Sequence, residues 1–186
     1  MWDWRLKKVS VATSPVTLGE IKDHLRVETM DEDTLIQSYI DAAVEFLQGP
    51  NGGGFLLGIQ TWEYFTDIFP PIFYIPLFPV LSVDEIRYVD TAGTEQVLAA
   101  DQYRVDTVSN PARIVPAFNV TWPNTREREP NAVTVKFTGG YDPIPADLRQ
   151  AIFLLVAHYY EIRQPVVTGT VSNEVQFALE AIIGRY

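Results

Sequence analysis

The first part of the chain spaces its apolar residues three and four positions apart, as α-helices do. A capping-box pattern at Thr17 and Glu20 predicts a short helix over residues 17–27. A second helix is predicted over residues 31–48, because its first turn is acidic and a Gly-Pro pair follows its last turn. Its apolar stripe comprises Leu35, Ile36, Tyr39, Ile40, Ala43, Val44 and Leu47.

The pattern changes to strand-like alternation after residues 51–58, a glycine-rich segment that predicts a flexible joint. In the run from 132 to 138, Val133, Val135 and Phe137 alternate with polar residues, which predicts a strand with one buried face. Other short runs rich in β-branched and aromatic residues occupy 59–68, 82–90 and 102–106. Residues 59–138 are therefore predicted to form a small antiparallel β subdomain inserted between helices.

An uncharged segment at residues 69–81 interrupts these strands and contains four prolines. Prolines exclude it from being a central strand throughout. Two interpretations stay open. The segment is a hydrophobic connector lying across the β subdomain, or part of it packs on a neighbouring subunit, because exposed apolar patches of this size are uncommon on monomers.

Residues 141–164 are predicted to form a long core helix that Pro165 closes. One apolar stripe consists of Leu148, Ile152, Leu155, Tyr159 and Ile162. Apolar residues also occupy the other sides, and a helix that is apolar on every side is buried on every side. The pattern predicts either a central core helix or a helix covered by a partner subunit. The candidate subunit-interface residues are Phe153, Leu154, Ala157, His158 and Tyr160.

Residues 165–186 are predicted to form a linker and a last helix over about 173–183, with Ser172 as its cap. The linker is long enough for this helix to reach away from its own bundle. Its apolar stripe supplies the docking candidates Val175, Leu179, Ile182 and Ile183. The predicted fold is α+β, a single domain over 1–186. An N-terminal arm and helices (1–50) and the C-terminal helices form a small helical bundle around the inserted β subdomain.

Composition narrows the function. The chain has 24 acidic and 14 basic residues and a net charge of −10, which argues against a large phosphate-binding face. It has no cysteine, so disulfides and thiolate chemistry are excluded. The start lacks the apolar stretch of a signal peptide, and no apolar run is long enough for a membrane span. We expect a soluble protein in a reducing or redox-indifferent compartment.

No catalytic, cofactor-binding or metal site is predicted. The only histidines, His24 and His158, lie on separate predicted helices without metal-binding spacing. The acidic run at 31–33 lacks the rest of a calcium loop, and the glycines at 52–54 lack the context of a phosphate loop. Trp2 and Trp4 lie on an extended arm that packs either on its own domain or on a neighbour.

The order of short phrases over residues 15–163 resembles the head–tail connector (adaptor) proteins of tailed phages and gene transfer agents. The phrases are Pro15 to Leu18, His24 to Arg26, Gln60 to Glu63, Pro76 to Val83, Tyr103 to Asp106, Pro111 to Ile114, Leu148 to Ile152 and Val156 to Arg163. Two departures are the glycine-rich segment 49–54, where relatives often carry a Thr-Gly-Arg turn, and the end at 181–186.

The resemblance implies a structural, non-enzymatic subunit of the virion, assembled in the bacterial cytoplasm. Such proteins form a ring, usually of twelve subunits, that joins the portal to the head-closure (stopper) or tail protein and lines the DNA channel. DNA is then transient cargo, and the last helix is expected to dock on the portal or an adjacent subunit. Two other classes stay open: a virion-associated nucleic-acid-processing enzyme and a monomeric interaction module.

Overall fold

A computed structural model describes residues 5–10, 14–48 and 53–162, together with residues 181 and 184. The chain divides into two compact units. We call residues 1–12 and 54–141 the β unit, and residues 13–53 and 142–186 the helical unit. Helices and antiparallel sheets together make an α+β fold, so the predicted fold class is confirmed.

Three helices form the described part of the helical unit: α1 (Leu18–Leu25), α2 (Asp33–Leu47) and α3 (Ala146–Glu161). The capping box that starts α1 is present, because Thr17 and Glu20 each bond the other's backbone N–H. Helix α2 begins at Asp33, slightly later than predicted, with Glu32 as its N-cap. The buried residues of the three helices are Ile21, Ile36, Ile40, Ala43, Leu47, Leu148, Ala151, Ile152, Leu155 and Val156.

The β unit contains a five-stranded and a three-stranded antiparallel sheet. The first has the strand order β1-β2-β8-β4-β5, and the second has the order β3-β7-β6. The strands are β1 (Leu6–Lys8), β2 (Gln60–Thr66), β3 (Phe73–Ile75), β4 (Val80–Val89), β5 (Glu95–Val97), β6 (Tyr103–Asp106), β7 (Ala112–Pro116) and β8 (Val133–Gly139). A single 3₁₀ turn, Ala100–Gln102, precedes β6.

Both sheets contribute to one hydrophobic core. On β8, Val133, Val135 and Phe137 are fully buried and the intervening residues are not, as the alternation predicts. The three-stranded sheet adds Phe73 and Ile114 to the same cluster. A group of aromatic rings packs at the edge of this core. Phe69 stacks on Trp122 with ring centroids 5.0 Å apart, and it contacts the rings of Phe73 and Tyr88 edge-on.

Two expectations about this unit need correction. The segment 69–81 is more than a connector, because its centre is strand β3 and Phe73, Ile75 and Leu77 are buried in the unit's own core. The flexible joint predicted over 51–58 also needs correction. At its described end, Phe55, Leu56 and Leu57 are fully buried, so these residues are packed and do not form a hinge. In both places the burial of apolar side chains determines the local structure, although prolines or glycines lie nearby in the sequence.

The backbone entering the β unit contacts the backbone leaving it. Gly140 donates its N–H to the Pro79 carbonyl at 2.9 Å, and Tyr141 donates to the Leu56 carbonyl at 3.1 Å. A Cβ on Gly140 would lie 1.9 Å from the Gly58 carbonyl oxygen, and the φ of Gly140 is +132°. Only glycine satisfies both conditions.

We predict that Gly140→Ala destabilises the protein by about 2 kcal/mol or more, because the added methyl group must displace backbone and the φ is strained. Gly19→Ala in α1 is the matched control, since nothing lies within 4 Å of its added Cβ. The control is expected to be neutral or to stabilise by up to about 1 kcal/mol. Urea unfolding of both variants measures the difference. An unchanged urea midpoint for Gly140→Ala would show that this close backbone contact does not contribute measurably to stability.

Candidate assembly surfaces

The outer face of α3 carries the predicted subunit-interface residues, and all five are partly buried. Two of them contact other elements of the helical unit, and the ring of His158 lies 6.2 Å from that of Tyr159 on its own helix. The ring of Phe153 lies 5.1 Å from that of His24, and the hydroxyl of Tyr160 donates to a Glu32 carboxylate oxygen at 2.5 Å. The other three are Leu154, Ala157 and His158, which helical spacing places on one face with the exposed Gln150 and Glu161.

The expectation of a helix buried on every side is therefore wrong for the single chain. Leu148, Ile152 and Leu155 of the predicted stripe are fully buried. Ile162 lies just beyond the helix and is 41% exposed. The remaining explanation for the apolar outer residues, that a partner subunit covers them, stays a proposal.

Ion pairs between the helices hold this face in position. Glu20 accepts from the guanidinium of Arg149, and its other oxygen accepts from the Thr17 N–H at 2.9 Å. The bonds to Thr17, followed by the Arg149 charge, hold the pKa of Glu20 below its usual value. Lys22 pairs with Asp33 at 2.6 Å, joining α1 to α2. Among the described helices, α1 is thus tied to both α2 and α3 by a polar contact.

The face of the five-stranded sheet opposite the core carries a row of alternating charges. Lys7 is paired across strands with Glu63, Glu63 with Lys136, and Lys136 with Glu85. Arg87 reinforces the row, because its guanidinium reaches Glu63 and Glu85 at 2.8 Å each. Opposite charges at such cross-strand positions are mildly stabilising. This face is therefore self-neutralised and leaves few cations for phosphate.

An open cleft of about 360 Å³ lies at the β1 edge of that sheet. Its lining consists of Arg5, Leu6, Phe65, Asp67, Pro130 and Asn131. Asp67 accepts from the Arg5 guanidinium and from the Asn131 N–H, the latter at 2.7 Å. These bonds, with that from Arg5 the largest influence, lower the pKa of Asp67. The polar side of the cleft is thus an ion pair bonded to Asn131, and Leu6, Phe65 and Pro130 complete the lining.

Phe118 stands on a tight turn and is 89% exposed. The turn is closed by a bond from the Val120 N–H to the Ala117 carbonyl, and the Ala117 N–H donates to the Gln102 carbonyl. Asn119 has a φ of +61°, which asparagine tolerates better than most residues. An ordered backbone therefore presents a large aromatic side chain to solvent.

Val108, at the turn between β6 and β7, is 96% exposed. The Asp106 carboxylate organises this turn by accepting from the Ser109 hydroxyl, the Arg113 Nε–H and the N–H groups of Val108 and Ser109. These bonds, that from the Ser109 hydroxyl first, lower the pKa of Asp106 from its ordinary 3.8 to about 2. This turn, too, has a fixed conformation.

Two kinds of feature are absent from the described residues: a metal-binding cluster and a membrane-spanning helix. No group of three or more His, Asp or Glu side chains among them could hold a metal ion. In the same part of the chain, no helix is long and apolar enough to cross a membrane. The docking candidates Val175, Leu179, Ile182 and Ile183, and the Trp2 and Trp4 arm, lie outside the described residues.

Sequence reasoning missed the cleft, the Phe118 turn and the charged row. The row had a readable signal, since Glu63, Glu85 and Lys136 alternate with apolar residues along their strands. The cleft had none, because its lining comes from segments far apart in the chain that only strand pairing brings together. The Phe-Asn pair at 118–119 was a turn signal, but nothing in sequence indicates how exposed the ring would be.

Comparison with known proteins gives a consistent result. Residues 15–60 match the family of phage gp6-like head–tail connector proteins. A chain in the virion of a native gene transfer agent particle is 27% identical with a TM-score of 0.76, covering 98% of this chain and 94% of that one. A chain in the neck of an empty gene transfer agent particle with C6 symmetry is 28% identical with a TM-score of 0.76, covering 97% and 93%.

A chain of the native particle neck with C12 symmetry is 24% identical and has a TM-score of 0.65, covering 97% of this chain and 93% of that one. That likeness shows a shared fold. No curated protein sequence matches this chain. The matches point to a structural protein rather than an enzyme.

We predict that Leu154→Asp leaves the subunit folded but prevents it from assembling, if the outer face of α3 contacts a neighbour. Leu155→Asp is the control, because Leu155 is fully buried and an unpaired charge there costs several kcal/mol, close to a domain's whole stability. Thermal unfolding and mass measurement separate the two effects. If Leu154→Asp melts and assembles normally, the side chain at that position faces solvent and contacts no neighbouring subunit.

Proposed function

We propose that this chain, which its matches identify as a head–tail connector protein of the phage and gene transfer agent kind, forms a ring in the particle neck. The ring joins the portal to the head-closure or tail protein. The observation that carries the proposal is the similarity over nearly the whole chain to a neck protein in a particle with C6 symmetry. The matches to virion and neck structures support a protein incorporated into the virion.

The surfaces of the described residues suit such a role. A ring subunit needs two different contact patches, because a head-to-tail interface joins unlike surfaces of identical chains. The outer face of α3, the cleft and the ordered Phe118 turn are such patches, and their backbone or side chains are fixed by the bonds described above. A monomeric interaction module is the second candidate, and the mass of the assembled species distinguishes it from a ring.

The distribution of charge supports a channel through which DNA passes without being held. The helical unit has 13 acidic and five basic residues, whereas the β unit has 11 acidic and nine basic ones. Most of the net charge of −10 therefore belongs to the helical unit. Strong phosphate binding would arrest moving DNA, and it requires cations that this unit lacks.

The last helix is proposed to dock on the portal or on an adjacent subunit. We predict that deleting residues 172–186 leaves a folded protein that no longer binds the portal, since the stripe from Val175 to Ile183 would be lost. Native mass spectrometry of the full and truncated chains, alone and with the portal protein, makes the measurement. Undiminished portal binding by the truncated chain would contradict this docking role, and a full chain that stays monomeric in both conditions would contradict the ring.

We also predict that the subunit binds duplex DNA weakly or not at all at physiological salt. Titration of a labelled duplex at low and at physiological ionic strength tests this, because binding through several phosphate contacts weakens by orders of magnitude between the two. Tight binding that persists at physiological salt and prefers certain bases would contradict a passive channel wall.

A further inference from the structure

We propose that neighbouring subunits are joined through the β unit, with Phe118 of one subunit inserted into the cleft at Phe65 and Pro130 of the next. This inference rests on the proposed ring and specifies one of its contacts. It assigns a partner to the two features of the β unit that the fold itself leaves unused: an ordered, exposed aromatic ring and an open, partly apolar cleft.

The cleft lies at one edge of the five-stranded sheet, and the Phe118 turn, which follows β7 of the other sheet, is bonded to the segment after the strand at the opposite edge. Leu6 is on β1 and Phe65 on β2, so the cleft belongs to the β1 edge. Hydrogen bonds connect the Phe118 turn to the other edge: Ala117 bonds Gln102, Gln102 bonds Ala99, and Ala99 lies just after β5. Four strand spacings, roughly 19 Å, separate the edges. A projection at one edge and a recess at the other are what a head-to-tail contact between identical chains requires.

The cleft has room for the ring. A cavity of about 150 Å³ lined by apolar side chains can hold benzene, and this cleft measures about 360 Å³. Pro130 offers an apolar contact, Phe65 offers an aromatic partner, and the Arg5 guanidinium is a cation that can lie over a ring face. Because Arg5 is already paired with Asp67, an uncharged ring enters without burying a lone charge.

The Phe118 turn is suited to be an anchor because its backbone is ordered before binding. The bonds at Ala117 and Val120 hold the turn, so little conformational freedom is lost on association. Aromatic residues are enriched in interface centres. Val108 is equally exposed but sits on a different turn and has a smaller side chain, which makes it a matched control.

The contact can be tested by cysteine cross-linking, because the chain has no cysteine of its own. Particles are produced with a chain carrying Phe118→Cys and Pro130→Cys, and a second set carries Val108→Cys and Pro130→Cys. A disulfide forms only when the two Cα atoms come within about 7 Å. After mild oxidation, the rings that form should give linked subunits on a non-reducing gel for the first pair and single subunits for the second, although fewer rings are expected for the first pair because it lacks the Phe118 side chain.

Assembly of the single variants completes the test. Phe118→Ser should reduce the population of rings in native mass spectra roughly tenfold or more, whereas Val108→Ser should leave it unchanged. Failure to assemble that is confined to the Phe118 variants supports the contact. Rings that form normally with Phe118→Ser, or a first double variant whose rings give no linked subunits, overturn the contact but leave the ring intact. A wild-type chain that forms no ring in the particle overturns both.

Discussion

The close approach of backbone at Gly139 and Gly140 is the constraint on which the rest of the β unit depends. Gly139 pairs with Gln60 on β2 and with Val80 on β4, so it fixes the end of the strand that lies between them. Side chains are excluded on that stretch, since added Cβ atoms would lie 2.3 Å from the Pro79 oxygen and 1.9 Å from the Gly58 oxygen. The segment entering the unit and the one leaving it are thereby joined.

The register set at this point determines which surface the unit presents. With β8 fixed, its valines and Phe137 face the core, and Lys136 meets Glu63 and Glu85 on the other face. A slip of one residue would turn every side chain of β8 to the opposite face and bury Lys136 without a partner. The charged row therefore helps to fix the strand register. A shifted register would bury its charges, whereas the observed register buries only apolar side chains of β8.

Sequence reasoning succeeded where one local rule decides the structure. The capping box at Thr17, helix α2 and the alternation on β8 each follow from residues close together in the sequence. Each was confirmed, although Leu35 of the predicted α2 stripe is exposed. It failed at β1, β3, β5 and β7, which are three to five residues long and owe their conformation to a partner strand. It also misjudged residues 55–57, where glycines suggested a joint but three apolar side chains enter the core. Surface features were the least predictable, because exposure depends on what the fold leaves uncovered.

Charge also bears on where subunits of such an acidic chain can meet. Each copy adds a net charge of −10, and like-charged surfaces repel when they approach within about 10 Å at moderate salt. Contacts through the helical unit, which has eight more acidic than basic residues, are opposed by this repulsion except on a patch with few charges such as Leu154, Ala157 and His158. The β unit has an excess of only two acidic residues, and its charges are largely paired with one another. Apolar contacts between β units therefore meet the least electrostatic opposition.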